Sequence, residues 1–401
     1  MKPQTLIFKK GYKPELSEGS VVTPIFKSST FCFEKSKHGA RSFEIAYGLD
    51  AKKQNEDPCL IYTRVNNPNM EIVEEKLAVL DGAESSLIFS SGMASISTTC
   101  LTFLNPGDSL IYSNPVYGGT DYFFTKYLPS KGITCKSFEC GSSSEDIMQI
   151  ANSCENLKII FVETPCNPLI KLTSLKEVEI VKNKLNLISI IDNTFGGPYY
   201  LRPIEFGCDI VLYSISKFIG GHSDLIAGSI SGSLKLTSQI KGTRTILGSI
   251  SDPDTCWLVQ RSLPTLKMRM EKQCENAKKI VELLLCNKKI KNVYYPGLGD
   301  ENQNEIFKNE YKDSGSIISF ELIGDKNDAY KFLDSLKVFS LAVSLGSVES
   351  LIQHPATMTH SDLSEDQKNI AGISDTLIRC SVGVEDIEDL ILDILNALNE
   401  I

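Results

Sequence analysis

Two side chains of opposite charge, Asp192 and Lys217, follow apolar runs that have the character of buried strands. Asp192 comes directly after Leu187–Ile191, and Lys217 follows the run Ile210–Tyr213. In an open parallel sheet, the carboxyl ends of the strands meet at the edge where ligands bind. We therefore expect a carboxylate and an amine at one ligand-binding edge.

Two hydroxyl side chains, Ser214 and Ser216, accompany the lysine. Pyridoxal phosphate needs a lysine amine for its aldehyde, an acid that keeps its ring nitrogen protonated, and hydrogen-bond donors for its phosphate. The combination of Asp192, Lys217 and the two serines therefore predicts a site for this cofactor. Taken singly, the residues have plainer explanations, namely a surface lysine in a Ser/Gly loop and an aspartate that caps the next helix.

A further candidate for phosphate binding is the segment Ser91, Gly92 and Met93. It lies between the predicted strand Ser86–Phe89 and the predicted helix Ala94–Phe103. Helix N-termini offer unpaired N–H groups and a positive dipole end to a phosphate, and glycine allows close backbone approach. A Ser-Gly pair at a helix start is also a common cap, so the segment alone does not decide the matter.

Three aromatic or basic side chains complete the candidate cofactor site. Tyr62 and Arg64 are two residues apart in a predicted extended segment, so their side chains point the same way and could clamp a phosphate. Tyr117 follows the predicted strand Ser109–Tyr112 and could stack on a pyridine ring. The alternatives are an exposed arginine beside a tyrosine and a tyrosine in a turn.

The elements that must position these residues alternate between short strands and longer helices. Helical spacing is seen in Met70–Leu80 and Leu175–Leu185. Apolar runs without polar alternation predict strands of a parallel sheet that is covered on both faces: Ser86–Phe89, Ser109–Tyr112, Ile159–Val162, Leu187–Ile191 and Ile210–Tyr213.

The pattern changes after about Pro264, which predicts a smaller α/β domain. It begins with the helical segment Met268–Cys286 and ends with the helix Ile387–Leu398. Strand-like runs lie between them: Val293–Tyr295, Ser316–Glu321, Leu341–Ser344 and Leu377–Val382. Lys35–Pro58 is polar and interrupted by glycine and proline, so we expect an arm or loop there. The predicted division is an N-terminal arm over residues 1–61, a cofactor-binding large domain over 62–263 and a small domain over 264–401.

Composition excludes several classes of function. The chain has 401 residues, 41 basic and 50 acidic, and its net charge of −9 without a dense basic block argues against nucleic-acid or anionic-membrane binding. Its apolar runs are far shorter than the roughly 20 residues that cross a bilayer. Met1–Tyr12 lacks the pattern of a secretory signal, so the cytoplasm is the expected location. The twelve cysteines form no Cys-x-x-Cys motif and only four histidines are present, so no metal site is predicted.

The chain resembles the cystathionine γ-synthase and γ-lyase family of pyridoxal-phosphate enzymes of Cys/Met metabolism. The likeness runs from about Val22 to the C-terminus and depends on several motifs in sequence order: YTRVNNP, SSGMASIS, YGGT, ETPCNP, DNTF, SxSK followed by GGHSD, LIQHPATMTH and IRCSVGVED.

The resemblance implies an α/β, aspartate-aminotransferase-like fold (PLP-dependent fold type I), with a large domain around a mostly parallel seven-stranded sheet and a smaller C-terminal α/β domain. It implies a homotetramer built from two tight dimers. It also implies roles for individual residues: Lys217 as the covalent attachment point, Asp192 on the ring nitrogen, Tyr117 stacked on the ring and active in proton transfer, Ser91, Gly92, Met93, Ser214 and Ser216 on the phosphate, Tyr62 and Arg64 on the phosphate in the neighbouring subunit, and Asn167, Ser344, Leu345 and Arg379 on the substrate carboxylate.

Arg379 can also be interpreted without the family. It lies in the otherwise apolar, strand-like run IRCSVG, where an unpaired charge would be costly. Arginine is suited to bidentate binding of a carboxylate, which an amino-acid substrate carries. The alternative is a buried structural ion pair.

Within the family, the sequence contains motifs that are typical of more than one reaction. The stretch AVSLGSVESLIQHPATMTHSDL resembles methionine γ-lyases, and Val343 and Ile61 stand where cystathionine-handling members carry acids. Gly119 and the pair Arg244-Thr245 depart from the methionine γ-lyase pattern. We expect α,γ-elimination of methionine or homocysteine to 2-oxobutanoate, ammonia and a thiol. The alternatives are a γ-replacing transferase (cystathionine γ-synthase or O-acylhomoserine sulfhydrylase), a cystathionine γ-lyase, and a cofactor-binding scaffold without turnover.

Overall fold

The larger of two sheets has seven strands in the order β1-β7-β6-β5-β4-β2-β3. The computed structural model describes residues 1–50, 53, 56, 59–361 and 364–401. Only β7 runs against the other six strands of this sheet. The strands are β1 Ser85–Phe89, β2 Ser109–Asn114, β3 Thr134–Glu139, β4 Leu157–Glu163, β5 Ile188–Asp192, β6 Ile210–Ser214 and β7 Gly228–Gly232.

The smaller sheet has five strands in the order β10-β11-β12-β9-β8. Its strands are β8 Ile290–Tyr294, β9 Ile317–Leu322, β10 Ser340–Leu341, β11 Leu351–Gln353 and β12 Leu377–Ser381. The pair β10–β11 is parallel and the other pairs are antiparallel. The predicted α/β architecture, with a mostly parallel seven-stranded sheet and a smaller C-terminal sheet, is confirmed.

Helices cover both sheets. They are α1 Pro3–Leu6, α2 Ser36–Ala46, α3 Pro68–Asp81, α4 Gly92–Phe103, α5 Gly118–Tyr122, α6 Ser144–Asn152, α7 Leu175–Leu185, α8 Gly197–Tyr200, α9 Leu234–Leu247, α10 Pro253–Ser262, α11 Leu266–Cys286, α12 Glu301–Glu310, α13 Lys326–Ser335, α14 Glu365–Ala371 and α15 Ile387–Asn399. Within the described ranges, no helix has the length and apolar character needed to cross a membrane.

The large sheet is buried on both faces, which explains why its strands are continuous apolar runs. Ile190 packs in a cluster with residues of α4 and α9, whereas the next residue, Ile191, packs in the cluster under α6 and α7. Helix α3 begins at an Asn67 cap followed by Pro68 and ends at Gly82, whose φ of 69° suits glycine. These helices fix the strand ends at which the candidate residues lie.

Helix α11 connects the two cores. Leu266 and Met270 near its start pack in the cluster beneath α3 and α10. Ile280 and Leu284 near its end pack against β9 and α15 in the core of the smaller sheet. A single long helix therefore holds one sheet against the other, and residues of both sheets can contribute to one site.

The predicted loop over Lys35–Pro58 is wrong in its first part, because Ser36–Ala46 forms helix α2. Ion pairs that the sequence pattern does not reveal stabilise this helix. Arg41 pairs with Glu44 in the same helix and with Asp50 and Glu56 beyond its end. Six residues of the run Lys35–Pro58 lie outside the described residues: 51, 52, 54, 55, 57 and 58.

Three strands were not predicted, and one prediction was too long. The run Leu341–Ser344 is a strand only at Ser340–Leu341. Strands β3, β7 and β11 were missed. Strand β7, with the sequence GSISG, has one large apolar residue, Ile230, among four small residues. Small residues are needed where its neighbours come close, since a Cβ atom at Gly228 would lie 2.2 Å from the Ser91 carbonyl oxygen.

Candidate active site

Three neighbouring strands end in polar residues at one edge of the large sheet. Glu163 ends β4, Asp192 ends β5 and Ser214 ends β6. Glu163 and Asp192 are paired in the strand register, so they lie side by side. This is the carboxyl edge of the parallel strands, where the sequence predicted a ligand site.

Asp192 is a buried carboxylate that is held by the residue two positions along the chain. Its Oδ1 accepts hydrogen bonds from the Thr194 backbone N–H at 3.1 Å and from the Thr194 hydroxyl at 2.6 Å. Burial raises the pKa of Asp192 to about 6, although the two hydrogen bonds oppose this rise. The group is therefore mostly ionised at neutral pH and can hold a proton on a basic ring nitrogen.

Lys217 lies in the turn that follows β6, and its amine faces the C-terminal half of the chain. The Nζ atom donates a hydrogen bond to the Ser344 hydroxyl oxygen at 2.8 Å. Burial, with a smaller contribution from the positive charge of Arg379, lowers the pKa of Lys217 to about 8. A lysine with a lowered pKa supplies the neutral amine that attacks an aldehyde.

The first turn of α4 forms a close-fitting cradle with β6 and β7. A Cβ atom on Gly92 would lie 3.0 Å from Cβ of Ser214, and one on Gly228 would meet the Ser91 carbonyl oxygen. The Ser91 hydroxyl accepts the Ala94 N–H at 3.0 Å and caps the helix, which was the plainer of its two explanations. The N–H groups of Gly92 and Met93 lie in the first turn of α4 and have no acceptor within the helix, so they can bind a phosphate.

Ser216 contributes to this region through the backbone of a neighbouring segment. Its hydroxyl oxygen accepts the Ala227 N–H at 3.0 Å and donates to the Ala227 carbonyl oxygen at 3.3 Å. These bonds fix the turn between β6 and β7, which carries Lys217.

The Tyr117 side chain has an exposed ring beside the cradle. Its ring is 52% exposed and passes so close to Gly119 that a Cβ atom there would lie 2.8 Å from a ring carbon and 3.0 Å from the Met93 sulfur. The Tyr117 backbone N–H donates to the Glu163 carboxylate at 2.7 Å. The ring therefore offers an open face at a fixed backbone position, as stacking requires.

Arg379 is a buried cation on β12. Its Nη1 donates to the Asn167 side-chain oxygen at 2.7 Å, and its Nη2 donates to the Ser344 carbonyl oxygen at 2.8 Å. No carboxylate forms a salt bridge with it in the described part of the chain, and burial lowers its pKa to about 10. A buried guanidinium without an anionic partner suits a substrate carboxylate, and the structural ion pair considered from the sequence is not seen among the described residues.

Ser344 links the lysine to the arginine and has an unusual backbone. Its φ is 116°, a value that L-residues rarely adopt and that costs about 1–3 kcal/mol. Gly346, two residues later, donates its N–H to the Ser381 hydroxyl at 2.8 Å, and the intervening Leu345 is buried. These contacts hold the strained loop against β12, so the structure brings Asn167, Ser344 and Leu345 together with Arg379.

Tyr62 and Arg64 are not joined to this group by any hydrogen bond among the described residues. The predicted extended segment is wrong, because the N–H groups of Val65 and Asn66 both donate to the Tyr62 carbonyl oxygen and the chain turns. The two side chains still meet, with the guanidinium carbon 5.9 Å from the ring centre. Both are exposed, and Arg64 donates to the Thr245 carbonyl oxygen at 2.7 Å.

Two residues of this edge were missed from the sequence. Glu163 ends β4 as Asp192 ends β5, and its position after an apolar run was the same signal. Thr194, in the motif DNTF, holds Asp192 and also accepts the Ser214 N–H at 2.8 Å. A polar residue two positions beyond a strand end was the signal for Thr194, because its side chain can turn back to the strand.

A family model for Cys/Met metabolism PLP-dependent enzymes matches residues 4–399. The chain belongs to this family. It is therefore an enzyme of sulfur amino acid metabolism that depends on pyridoxal phosphate. The geometry agrees with the family assignment, because the amine of Lys217, the carboxylate of Asp192 and the glycine cradle supply the covalent, ring and phosphate contacts that the cofactor needs.

Curated relatives of the family match almost the whole chain. The L-methionine gamma-lyase of Fusobacterium nucleatum subsp. polymorphum is 38% identical over 96% of this chain and 94% of the relative. The cystathionine beta-lyase of Lactococcus lactis subsp. cremoris (strain MG1363) is 39% identical over 99% of both chains. The solved cystathionine gamma synthase of Xanthomonas oryzae pv. oryzae, in complex with aminoacrylate and cysteine, has a TM-score of 0.90 and 33% identity and covers 100% of this chain and 98% of its own. These relatives catalyse different reactions, so they do not single out one reaction for this chain.

Proposed function

We propose that the chain is a carbon–sulfur lyase that carries out α,γ-elimination on L-methionine or L-homocysteine. The observation that carries this choice is Val343, an apolar side chain that is 57% exposed and directly precedes Ser344, the residue that holds the Lys217 amine. An apolar side chain at this place suits a simple thioether, whereas the distal ammonium of cystathionine favours a carboxylate. Further support comes from relatives named L-methionine gamma-lyase in Porphyromonas gingivalis and Treponema denticola, at 36% and 35% identity.

The proposed elimination divides the work among the site residues. When bound, pyridoxal phosphate supplies the electron sink for the pair left behind by the α-proton. The Lys217 amine takes the α-proton and transfers protons at the neighbouring carbon, and the Asp192 carboxylate holds the proton on the ring nitrogen. The Tyr117 hydroxyl gives a proton to the leaving sulfur. Arg379 binds the substrate carboxylate and so fixes how the amino acid lies against the lysine.

The proposal also includes the oligomeric state, the domain division and the cellular location of the chain. We infer a homotetramer from the family resemblance, in which Tyr62 and Arg64 complete the neighbouring subunit's phosphate site. Both side chains are exposed on the single chain, as such a contact requires. We propose the same division that the sequence predicts, with an N-terminal arm over residues 1–61, a large domain over 62–263 and a small domain over 264–401. All twelve cysteines are free thiols, which supports a reducing compartment, the cytoplasm.

A second candidate is cystathionine cleavage or γ-replacement. Gly119 favours it, because its YGGT motif matches cystathionine γ-lyases and leaves the Tyr117 ring space that a side chain at this position would restrict. The Lactococcus lactis and Xanthomonas oryzae relatives also act on or form cystathionine according to their names.

The substrates can be ranked by product analysis. The purified holoenzyme is incubated separately with methionine, homocysteine, cystathionine, and O-acetylhomoserine plus sulfide, and oxoacids, thiols and thioethers are quantified together. We expect 2-oxobutanoate in equal amounts with methanethiol from methionine, or with hydrogen sulfide from homocysteine. Pyruvate from cystathionine would indicate β-elimination, and homocysteine from O-acetylhomoserine and sulfide, without 2-oxobutanoate from any substrate, would contradict the lyase and favour the transferase. The Lys217→Ala variant is the control and must form no product.

A further inference from the structure

Glu163 is a buried carboxylate at the cofactor edge, and none of the steps above gives it a role. It ends β4, is 4% exposed and pairs in register with Asp192 of β5. Paired residues of adjacent parallel strands point to the same face, and neighbouring strands are about 4.8 Å apart. Two carboxylates therefore lie side by side where the cofactor ring is expected.

Each oxygen of this carboxylate binds a different segment of the active site. Oε2 accepts the Tyr117 N–H at 2.7 Å, and Oε1 accepts the Asn167 N–H at 3.2 Å. The Glu163 N–H itself donates to the Ser113 hydroxyl at 3.0 Å. The side chain thus ties the segment with the stacking ring and the segment with the Arg379 partner to one point on the sheet.

We propose that Glu163 is a positioning residue, which holds Tyr117 and Asn167 in register with Asp192 and leaves Asp192 the single negative charge of the pair. The inference rests on the proposed function, since it assumes that Tyr117 stacks on the cofactor and that Asn167 serves the substrate clamp. It concerns how those side chains are held rather than which substrate is used.

Burial and the negative charge of Asp192 favour a neutral Glu163 carboxyl, and they outweigh the opposing effects of the Arg379 charge and the two N–H donors. Asp192 faces it from β5, Arg379 from β12 and Cys140 from the end of β3, and Cys166 lies on its own loop. Burial comes first and the negative charge of Asp192 second in raising the pKa of Glu163 well above its usual range. Adjacent buried carboxylates titrate as a pair, so near neutral pH the pair carries one negative charge.

That single charge is better placed on Asp192 than on Glu163. Thr194 gives one Asp192 oxygen two hydrogen bonds, one of them from a hydroxyl at 2.6 Å, whereas each Glu163 oxygen accepts a single backbone N–H. A proton retained on Glu163 spares Asp192 a like-charged neighbour and keeps it available to a positively charged ring nitrogen. Ionisation of Glu163 at alkaline pH adds a second buried negative charge, so we expect it to weaken the site.

The test uses the affinity of the apoprotein for pyridoxal phosphate, followed by quenching of the single tryptophan, Trp257, from about pH 6 to about pH 10. Glu163→Gln keeps the shape but loses one acceptor and cannot ionise. Glu163→Asp keeps an ionisable carboxyl but is one methylene too short to reach both N–H groups. The matched control is Glu310→Gln, another buried carboxylate, which accepts the Ser174 hydroxyl and the Leu175 N–H at 2.6 and 2.8 Å.

We expect Glu163→Gln to bind the cofactor about tenfold more weakly near neutral pH and to lack the alkaline decline of affinity that we expect of the wild type. Glu163→Asp should also bind more weakly but keep the alkaline decline, and it carries the test if the Gln variant does not fold. Glu310→Gln should change thermal stability but neither the affinity for the cofactor nor the pH dependence of that affinity. In turnover, both Glu163 variants should raise KM and lower kcat together.

Wild-type affinity and an unchanged pH profile in the Glu163 variants would overturn the inference. Weaker cofactor binding and a lost alkaline decline in Glu310→Gln would also overturn it. A wild-type holoenzyme that forms no 2-oxobutanoate from methionine or homocysteine would instead overturn the proposed function, whatever the cofactor affinity of the Glu163 variants. The two failures are therefore distinguishable.

Discussion

At the residue scale, burial adjusts the ionisation of three side chains toward their chemical tasks. It lowers the pKa of Lys217 to about 8, raises that of Asp192 to about 6 and lowers that of Arg379 to about 10. Near neutral pH, a fraction of the molecules has Lys217 as a neutral amine, while the Asp192 carboxylate and the Arg379 guanidinium are charged. The identities of these residues were predictable from the sequence, but their pKa values depend on contacts between distant segments.

The positive charge of Arg379 contributes to the lowered pKa of Lys217, so its removal should raise that pKa. We expect Arg379→Ala to move the midpoint of cofactor capture above about pH 8, because a lysine without a positive neighbour holds its proton more tightly. The measurement is the rate at which the visible band of the lysine-bound cofactor forms in the apoprotein, as a function of pH. Arg379→Lys keeps the charge and should keep the midpoint, and an unchanged midpoint in Arg379→Ala would contradict this coupling.

At the element scale, the sequence predicts the strands that are continuous apolar runs. It misses strands such as β7, whose residues are determined by close contacts with other elements. The runs that became β4, β5 and β6 are continuous and apolar, and their ends were predicted within a few residues. Strand β7 is made of small residues because α4 packs closely on it, which no local pattern reveals. Likewise, the turn at Tyr62 and the ion pairs of Arg41 on α2 depend on tertiary contacts.

The contact between β7 and the first turn of α4 shapes the phosphate cradle, and Gly228 makes it possible. Gly228→Ala places a Cβ atom 2.2 Å from the Ser91 carbonyl oxygen, so the helix terminus or the strand must move. We expect cofactor affinity to fall at least tenfold and the melting temperature to drop, because the clash is with backbone and cannot be relieved by a side-chain rotation. Calorimetry and cofactor titration measure the two effects.

Gly242 provides a matched control for this substitution. It lies within helix α9, has no heavy atom within 4 Å of a Cβ position and needs no unusual backbone angle. Gly242→Ala should therefore stabilise the protein by up to about 1 kcal/mol and leave cofactor affinity unchanged. Wild-type affinity in Gly228→Ala would show that the cradle does not bind the phosphate.

At the scale of the whole molecule, the site combines two parts of the chain that α11 and the Ser344 loop hold together. Lys217 and Asp192 come from the large sheet, whereas Arg379 comes from the smaller one. Ser344 joins them, because its hydroxyl binds the lysine and its carbonyl oxygen binds the arginine. The mostly parallel seven-stranded sheet and the smaller C-terminal domain were implied by family resemblance, but the strained loop that brings the sheets together at this point was not predictable from its residues.

Shared active sites can be tested by mixing two defective subunits. If Arg64 serves the neighbouring subunit, a hybrid of Lys217→Ala and Arg64→Ala subunits contains one site with both defects and one intact site. Co-expression in equal amounts should then restore about one quarter of the wild-type activity, measured against each variant alone. No restoration in isolated hybrids would show that Arg64 acts within its own chain.

The central claim is that pyridoxal phosphate is joined to the amine of Lys217 at the edge that carries Asp192. The holoprotein is treated with borohydride, which fixes the cofactor to the lysine that holds it, and the digested protein is analysed by mass spectrometry. We expect one phosphopyridoxyl group per chain, on the peptide that contains Lys217, and none on that peptide in Lys217→Ala. A label on another lysine, or an unlabelled chain after saturation with the cofactor, would contradict the account.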